Sequence, residues 1–312
     1  MKQGKIVVVM GGPSSEAEVS RRTGAAIVNA LESKGYAVEG MELDPPHFAE
    51  AIRKSDCAIV FNALHGRYGE DGVLQGTLDM LGIPYTGSGV LAAAVTMDKV
   101  MSKRVFLGAG ISTPRSETFH RFEFDAELPS RIRKAFSLPV VIKASSQGSS
   151  IGVAIVEKEE ELEAALKDAF RYDEEVLVEE FVRGKELTVA VWGDAREAQA
   201  FPVIEITTVS GRYDYASKYT KGASTHIIPA RIPSEVTERV QQLAVDAFRA
   251  CGCRGVARAD MMLGEDMTPY VIEINSMPGM TETSLVPDAG RAMGVEFPEL
   301  CERILEMAGY EK

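Results

Sequence analysis

The chain has 312 residues and a formal net charge of -12, with 46 acidic against 34 basic side chains. This length predicts about two or three globular domains, and a hydrophobic content of 45% is typical of a globular protein. The excess of negative charge argues against a general nucleic-acid-binding protein and against an anionic membrane surface as partner, although it leaves room for a small basic pocket for phosphates.

The N-terminal segment does not have the pattern of a signal peptide. Its apolar run, residues 6–10, is too short for an h-region, and Gly11, Gly12 and Pro13 end it. No stretch approaches the roughly 20 apolar residues of a membrane span. The 4 cysteines lack the spacing of a zinc site and are interpreted as reduced thiols. We therefore expect a cytoplasmic protein with no membrane partner.

The first part of the chain has the pattern of a parallel α/β domain. Residues 5–10 predict a buried strand, and Ser15 with Glu18 fits a capping box that begins a helix over residues 15–33. Glu16 would lie in the first turn of this helix, above the carboxyl end of the strand, where ligands bind in open α/β sheets. Its carboxylate would either stabilise the helix dipole alone or hold an ammonium group.

A second buried strand is predicted over residues 57–61, and the loop after it contains His65 and several glycines. A lone histidine is more often a packed side chain than a ligand contact, but its position at the carboxyl end of a strand raises the functional alternative. A helix over residues 73–81, a strand over residues 84–86 and a glycine-rich turn complete this domain near residue 95.

The middle of the chain contains a candidate phosphate-binding loop. After a helix over residues 97–108, a strand over residues 138–143 ends in Lys143, and the Gly- and Ser-rich residues 144–152 follow. Backbone N–H groups of such a loop can approach phosphate oxygens. The loop lacks the Lys-Ser/Thr ending and the following helix of a Walker motif, so a P-loop fold is disfavoured, and a plain glycine-rich hairpin remains the alternative.

Helical and strand patterns alternate between residues 122 and 250. The predicted elements are a short helix within residues 122–136, strands over residues 153–156, 175–182, 186–192 and 198–206, and helices over residues 157–170 and 234–250. The polar and aromatic segment 207–228 has no clear periodicity, and its length predicts a functional loop rather than a linker.

Two strands joined by a polar turn are predicted between residues 258 and 275. If Leu263 pairs with Tyr270, alternation along the strands brings four side chains to one face: Arg258, Asp260, Glu273 and Asn275. Two opposed carboxylates repel each other, which makes sense if a hard cation lies between them. A solvated face, with a salt bridge to Arg258, is the alternative.

Taken in order, these segments resemble the D-alanine–D-alanine ligase family of the ATP-grasp superfamily, and the blocks that carry the resemblance span nearly the whole chain. They are residues 11–20, 64–66, 87–89 and 97–99, Lys143 with residues 148–150, Lys218 with Tyr219, and residues 273–275, 278–281 and 284–285. Each block is weakly specific alone, but together and in this order they are highly specific.

The resemblance implies a mixed α/β and α+β architecture, the ATP-grasp fold. An N-terminal Rossmann-like parallel-sheet domain (residues 1–95) would bind substrate. ATP would be held between two α+β subdomains, residues 96–183 and residues 184–312. The second subdomain would carry a lid loop over residues 207–228 and the metal site.

The resemblance also implies roles for individual residues. The ATP phosphates and nucleoside would be bound by Lys99, Lys143, Glu179, Glu180, Val182, Glu186 and Lys218. Two Mg²⁺ ions, with Mn²⁺ as a substitute, would be held by Asp260, Glu273 and Asn275. The catalytic set would be Glu16, Ser149, Tyr219, Arg258 and Gly279, of which Arg258 and the Gly279 N–H form an oxyanion hole. D-Alanine would be positioned by His65, Ser284 and Leu285. Glu180 departs from the family pattern, in which a Lys is frequent.

The implied reaction is the ATP-dependent ligation of two D-alanines through a D-alanyl phosphate, with release of ADP and phosphate, in peptidoglycan precursor synthesis. A homodimer is implied by the family alone. One alternative is a D-alanine–D-lactate or D-alanine–D-serine ligase of the same fold. The Lys218-Tyr219 pair resembles the lid of the dipeptide-forming type, whereas the depsipeptide-forming type has a different lid with a His that repels the ammonium of the second substrate. His226 lies downstream of the Lys218-Tyr219 pair and is not expected to replace it. The other alternative is a non-catalytic ATP-binding regulator.

Overall fold

The structure, a computed structural model, describes residues 4–148, 151–208, 223–281 and 284–310. Its N-terminal sheet is parallel, with strand order β2-β1-β3. The strands are β1 (Lys5–Met10), β2 (Ala37–Glu42) and β3 (Cys57–Asn62), and the helices around them are α1 (Ala17–Ser33), α2 (Phe48–Lys54) and α3 (Val73–Leu81). The strands predicted at residues 5–10 and 57–61 and the helix at 73–81 are confirmed.

The predicted capping box at the start of α1 is wrong. The helix begins after Glu16, and no side-chain hydrogen bond caps it. The Ser14 hydroxyl accepts the Glu16 N–H at 3.2 Å and donates to the His65 carbonyl at 2.8 Å. This contact with the loop after β3 sets the chain direction, so a tertiary interaction overrides the local signal.

The predicted strand at residues 84–86 is reduced to single bridges, in which Tyr85 pairs with Val60 and with Gly309. Two helices follow, α4 (Val90–Met97) and α5 (Lys99–Gly108). Helix α4 was not predicted, and it spans residue 95. Asp98 caps α5, since its side chain accepts the Met101 N–H at 2.9 Å.

The second sheet is antiparallel, with strand order β4-β7-β5-β6. Its strands are β4 (Ser116–His120), β5 (Val140–Ala144), β6 (Val153–Val156) and β7 (Glu175–Glu180), and helices α6 (Leu128–Ala135) and α7 (Leu162–Ala169) pack against it. The core between sheet and helices is apolar, with Ile132, Ile142 and Leu166 fully buried. The connection from β5 to β6 contains the predicted phosphate loop.

The third sheet has the strand order β11-β10-β8-β12-β13, with β9 paired to β8. Its strands are β8 (Gly184–Gly193), β9 (Gln199–Ala200), β10 (Ile204–Thr208), β11 (Ser224–Ile227), β12 (Gly255–Gly264) and β13 (Pro269–Asn275). Helices α8 (Ser234–Ala250), α9 (Leu285–Ala292) and α10 (Phe297–Glu306) complete the chain. Within the described residues, no helix has the length and apolarity to cross a membrane.

Two predictions in this region need correction. The single strand predicted over residues 198–206 is divided, because Pro202 lies between β9 and β10 and has no N–H to donate to a ladder. The segment 207–228, predicted as a loop, is strand at both ends. Strands β10 and β11 pair antiparallel there, with Thr208 opposite Ser224 and Thr207 opposite Thr225. Residues 209–222 of this segment lie outside the described residues.

The predicted register of the β12–β13 hairpin is confirmed for the two pairs at the site, but it is wrong for the pair next to the turn. Leu263 pairs with Pro269, not with Tyr270. An irregularity after Asp260 leaves Ile272 as an extra residue, so that Asp260 still lies opposite Glu273 and Arg258 opposite Asn275.

Candidate functional site

A cleft of about 1340 Å³ lies between the second and third sheets. One part of its wall is apolar and comes from both sheets, with Leu138, Val141, Ile155, Met261 and Ile272. Another part is charged and includes Lys99, Lys143, Glu179, Asp260 and Glu273. An apolar slot that leads to cations and carboxylates suits a ligand with a flat apolar ring and a polyanionic tail.

The predicted phosphate loop is fixed from several sides by hydrogen bonds. Lys99 donates its backbone N–H to the Ser145 carbonyl at 2.9 Å and its ammonium to the Gln147 carbonyl at 2.7 Å. Ser145 donates its hydroxyl to Asp98 at 2.9 Å, and Ser146 donates its N–H to Asp173 at 2.9 Å. The start of α5 therefore positions both Lys99 and the loop beside it.

Glu179 lies between two lysines at the inner wall of the cleft. Its side chain forms ion pairs with Lys143 through Oε2 and with Lys103 through Oε1. Although burial alone would raise the pKa of Glu179, the charges of Lys143 and Lys103 hold it below its ordinary value. Burial lowers the pKa of Lys103 to about 8. The charge of Lys143 lowers this pKa further, whereas the charge of Glu179 opposes the shift. Lys103 was not identified from the sequence.

The two carboxylates predicted to bind metal line the cleft side by side. Asp260 and Glu273 are cross-strand partners, and their side chains are 20% and 29% exposed. Arg258 contacts Asp260 through two hydrogen bonds of 2.8 and 2.7 Å, and Lys99 lies 3.4 Å from Glu273. Thr188 on β8 donates its hydroxyl to Asp260 at 2.6 Å.

This donor set fits a hard divalent cation, since two opposed carboxylates open onto the cleft and oxygen is the ligand that Mg²⁺ prefers. Asn275 is two residues further along β13, opposite Arg258, and its Oδ1 accepts the Met277 N–H at 3.0 Å. Among the described residues, no group of three or more His, Cys, Asp or Glu side chains is arranged to hold a metal. A metal site here would therefore consist of two carboxylates and one amide. The salt bridge to Arg258, which the alternative interpretation predicted, is also present.

A second group of polar residues lies where the first sheet meets the phosphate loop. Glu16 approaches both loops so closely that an added Cβ at Gly66 or at Gly148 would lie 2.9 Å from its Oε2. Gly66 also has a φ of +71°, which favours glycine. These contacts connect Glu16 of the first domain with the loop after β5, which no local sequence signal could predict.

His65 is buried in the loop after β3, and its side chain is 6% exposed. Its Nε2 lies 3.1 Å from the Thr23 hydroxyl, and its Nδ1 lies 3.7 Å from Glu70. Burial raises the pKa of Glu70, against the opposing effect of His65, and the charge of Glu16 raises it further. The sequence did not single out Glu70, because it reaches His65 only through the folded loop.

The predicted second-substrate residues come together at the start of α9. Ser284 accepts the Thr281 N–H at 3.1 Å, and an added Cβ at Gly279 would lie 3.3 Å from its hydroxyl. Leu285 is 7% exposed and belongs to the main hydrophobic core, so its contribution to packing is clear. On the same helix, Asp288 forms a hydrogen bond of 2.6 Å with His226 of β11.

The remaining predicted nucleotide residues lie along the cleft wall. Glu180, Val182 and Glu186 all line it. Glu180 is half-exposed and forms an ion pair of 2.8 Å with Arg115, so it does not point freely into the cleft. Ser149, Lys218 and Tyr219 lie outside the described residues, and their roles stay predictions.

Comparison with known proteins gives consistent matches. The family model for the D-ala D-ala ligase C-terminus matches residues 105–306, and that for the D-ala D-ala ligase N-terminus matches residues 37–88. A D-alanine–D-alanine ligase of Desulforudis audaxviator is 49% identical over 305 residues, covering 97% of this chain and 98% of the relative. One of Moorella thermoacetica is 48% identical over 307 residues, covering 97% and 99%.

Solved structures agree with the sequence relatives. A D-alanine–D-alanine ligase from Bacillus anthracis superposes with a TM-score of 0.85 at 36% identity, covering 98% of this chain and 97% of that one. The VanG D-Ala:D-Ser ligase from Enterococcus faecalis superposes with a TM-score of 0.83 at 31% identity, covering 98% and 99%. The similarity thus extends over the whole described chain.

Proposed function

The chain belongs to the D-alanine–D-alanine ligase family, and we propose how its residues carry out the ligation. It is an ATP-dependent ligase with the ATP-grasp fold, and it joins two D-alanine molecules into the dipeptide used for the cell wall. The single observation that carries the assignment of the site is the cleft, with its apolar slot and its facing lysines and carboxylates.

ATP occupies this cleft with its base in the apolar slot. Glu179, Glu180, Val182 and Glu186 line the nucleoside end, and Lys99 and Lys143 bind the phosphates from the β5 side. The bond between the Lys99 ammonium and the Gln147 carbonyl supports this arrangement, because it holds a cation beside the loop before nucleotide arrives. Lys218 would add a further phosphate contact from the lid.

Two Mg²⁺ ions, with Mn²⁺ as a substitute, would be held by Asp260, Glu273 and Asn275. The metal supplies charge neutralisation for the phosphates when bound. Arg258 and Lys99 contact the carboxylates and limit their repulsion in the absence of metal.

The first D-alanine binds with its ammonium at Glu16, and His65 orients the loop around it. Its carboxylate oxygen attacks the γ-phosphorus of ATP, the bond to ADP breaks, and D-alanyl phosphate forms. Ser149 and Tyr219 would link Glu16 to the lid over residues 207–228 and keep water from the acyl phosphate. The approach of Glu16 to Gly148 supports this, because it brings the ammonium site beside the phosphate loop.

The second D-alanine binds at Ser284 and Leu285. Its amine loses a proton and attacks the carbonyl carbon of the acyl phosphate. Arg258 and the Gly279 N–H stabilise the tetrahedral oxyanion. When this intermediate collapses, the bond to phosphate breaks, phosphate leaves, and the peptide bond is complete. The two hydrogen bonds from Arg258 to Asp260 support this role, because they fix the guanidinium before substrate binds.

We divide the chain into residues 1–95, 96–183 and 184–312, in accord with its three separate sheets. A homodimer and a cytoplasmic location are part of the same proposal, the second because the reaction consumes ATP.

Product analysis tests the ligation. With Mg²⁺ and ATP, D-alanine alone should give the dipeptide and stoichiometric ADP and phosphate. Absence of D-alanine-dependent phosphate release would favour a non-catalytic ATP-binding protein.

A ligase that takes D-serine is the second candidate, because one structural neighbour is a D-Ala:D-Ser ligase. Adding D-serine or D-lactate to the D-alanine reaction discriminates between the two. We expect D-alanyl-D-alanine to remain the main product at neutral pH. His226 supports this expectation, since its hydrogen bond to Asp288 holds it on α9. A depsipeptide or mixed product in excess would overturn the assignment of the second substrate.

A further inference from the structure

Lys103 is a buried cation next to the nucleotide cleft that the proposed reaction does not use. It lies on α5 and is 3% exposed. Three oxygens surround its ammonium: the Thr113 hydroxyl at 2.7 Å, the Pro114 carbonyl at 2.9 Å, and Oε1 of Glu179. Two of these contacts are hydrogen bonds and the third is an ion pair, so the surroundings favour the charged form of Lys103.

The two lysines on Glu179 have different surroundings. Lys143 lines the cleft, and it reaches Glu179 along the face of the second sheet. Lys103 contacts the other carboxylate oxygen from behind and is held by the connector before β4. A polyphosphate in the cleft can therefore attract Lys143, whereas Lys103 is enclosed by protein.

Moving Lys143 toward phosphate has an electrostatic cost that depends on Lys103. Glu179 is 1% exposed, and a carboxylate buried to this extent needs a counter-ion. If Lys143 were the only cation, its departure would leave a buried charge unpaired. With Lys103 in contact on the other oxygen, the carboxylate stays compensated while Lys143 moves.

We infer that Lys103 is a positioning residue for nucleotide binding: it remains the permanent counter-ion of Glu179 and so releases Lys143 to the polyphosphate of ATP. This inference rests on the proposed function, because it takes the cleft as the ATP site and Lys143 as a phosphate ligand. Lys103 would thus affect the binding of the ATP phosphates and not the binding of the adenine base.

The test compares the binding of ATP with that of adenosine, because only ATP needs Lys143. Calorimetric titration without D-alanine gives both dissociation constants, and their ratio measures the contribution of the phosphates. In Lys103→Met this contribution should fall roughly 100-fold or more, as for other buried ion pairs that lose one partner. Adenosine binding should change much less.

Two variants separate this role from simple packing. Thr113→Val removes a hydrogen bond from the same ammonium and one to the Val271 carbonyl, but leaves the charge in position. It should lower the melting temperature and keep the ATP-to-adenosine ratio. Adding Glu179→Gln to Lys103→Met should restore the ratio to that of Glu179→Gln alone, since a neutral amide does not retain Lys143.

The inference is wrong if folded Lys103→Met keeps the wild-type ratio, or if Glu179→Gln does not restore it. Should Lys103→Met not fold, the wild-type protein gives the test, because raising the pH through about 8 neutralises Lys103 beside Glu179 and Lys143. The ratio should then decline, and a constant ratio overturns the inference. A wild type that does not bind ATP refutes the proposed function instead.

Discussion

Thr188 on β8 provides a sharp test of the proposed metal site, because it contacts the proposed ligand Asp260 but not the cleft solvent. It is 1% exposed and lies opposite Asp260 in the β8–β12 register. Its hydroxyl is 2.6 Å from Asp260 Oδ1 and 3.2 Å from the Ala259 carbonyl. A single proton favours the shorter contact with the charged oxygen. Thr188→Val replaces this donor with a methyl group of nearly the same shape.

The expected effect follows from this one hydrogen bond. A bond to a charged group contributes about 1.5–3 kcal/mol, and the loss of an outer-shell partner lowers metal affinity about 10- to 100-fold. Arg258 still holds Asp260 through two hydrogen bonds, so we expect the lower end, about tenfold. The free Mg²⁺ concentration for half-maximal ADP formation should rise by this factor. Binding of Mn²⁺, followed by electron paramagnetic resonance without D-alanine, should weaken equally.

Thr188→Ser is the matched control, because it keeps the hydroxyl and loses only a methyl group. It should retain the metal dependence of the wild type. An unchanged Mg²⁺ midpoint in folded Thr188→Val would refute the reasoning, and so would an equal loss in both variants. Either result would mean that Asp260 does not need this donor to hold a metal.

Three further predictions concern other parts of the molecule. Glu273→Gln should lower turnover roughly 100-fold or more without a large change in melting temperature, and near-normal ADP release would contradict its role as a metal ligand. Glu16→Gln should raise KM for the first D-alanine roughly tenfold while KM for ATP stays constant, and the reverse pattern in steady-state kinetics would exclude an ammonium site. Hydrogen bonds from Arg231 lower the pKa of Glu205 from 4.5 to about 2. Ionised Glu205 therefore stabilises the fold fully above about pH 4.5, and this contribution declines as the pH falls toward about 2. The free energy of unfolding in urea should be lower for Glu205→Gln than for the wild type at about pH 7, and the difference should shrink near about pH 3. A difference that does not depend on pH would contradict the pairing with Arg231.

Much of the fold could be predicted from local patterns, because its central strands are continuously apolar and its helices show apolar residues at helical spacing. The strand at Lys5–Met10 and the helix at Val73–Leu81 are examples. Strand β2 escaped prediction because it is mostly exposed, so it lacks the alternation of a half-buried strand. Pro202 divides the strand predicted over residues 198–206, a break that the apolar pattern on either side concealed.

The chemistry of the site could be predicted only in part, because several of its contacts join residues distant in sequence. Glu179 follows Lys103 by 76 positions, and nothing near either residue indicates that they meet in a buried ion pair. The same is true of Glu16, which precedes α1 beside the first sheet, and Gly148, which lies in the loop after β5 of the second sheet. Local patterns identify residue types suited to a chemistry, whereas the partners that adjust their charge become visible only in the fold.

The β12–β13 hairpin explains why the facing carboxylates could be predicted even though the length of its turn could not. The turn is one residue shorter than predicted, with Leu263 opposite Pro269, and the extra residue Ile272 offsets the difference. As a consequence, two consecutive residues face the cleft: Ile272 contributes to the apolar wall and Glu273 to the charged one. A regular strand would send one of them into the core behind the sheet. The bulge therefore joins the apolar and the charged parts of the cleft wall, and shared orientation toward that cleft, not turn length, makes Asp260 and Glu273 partners.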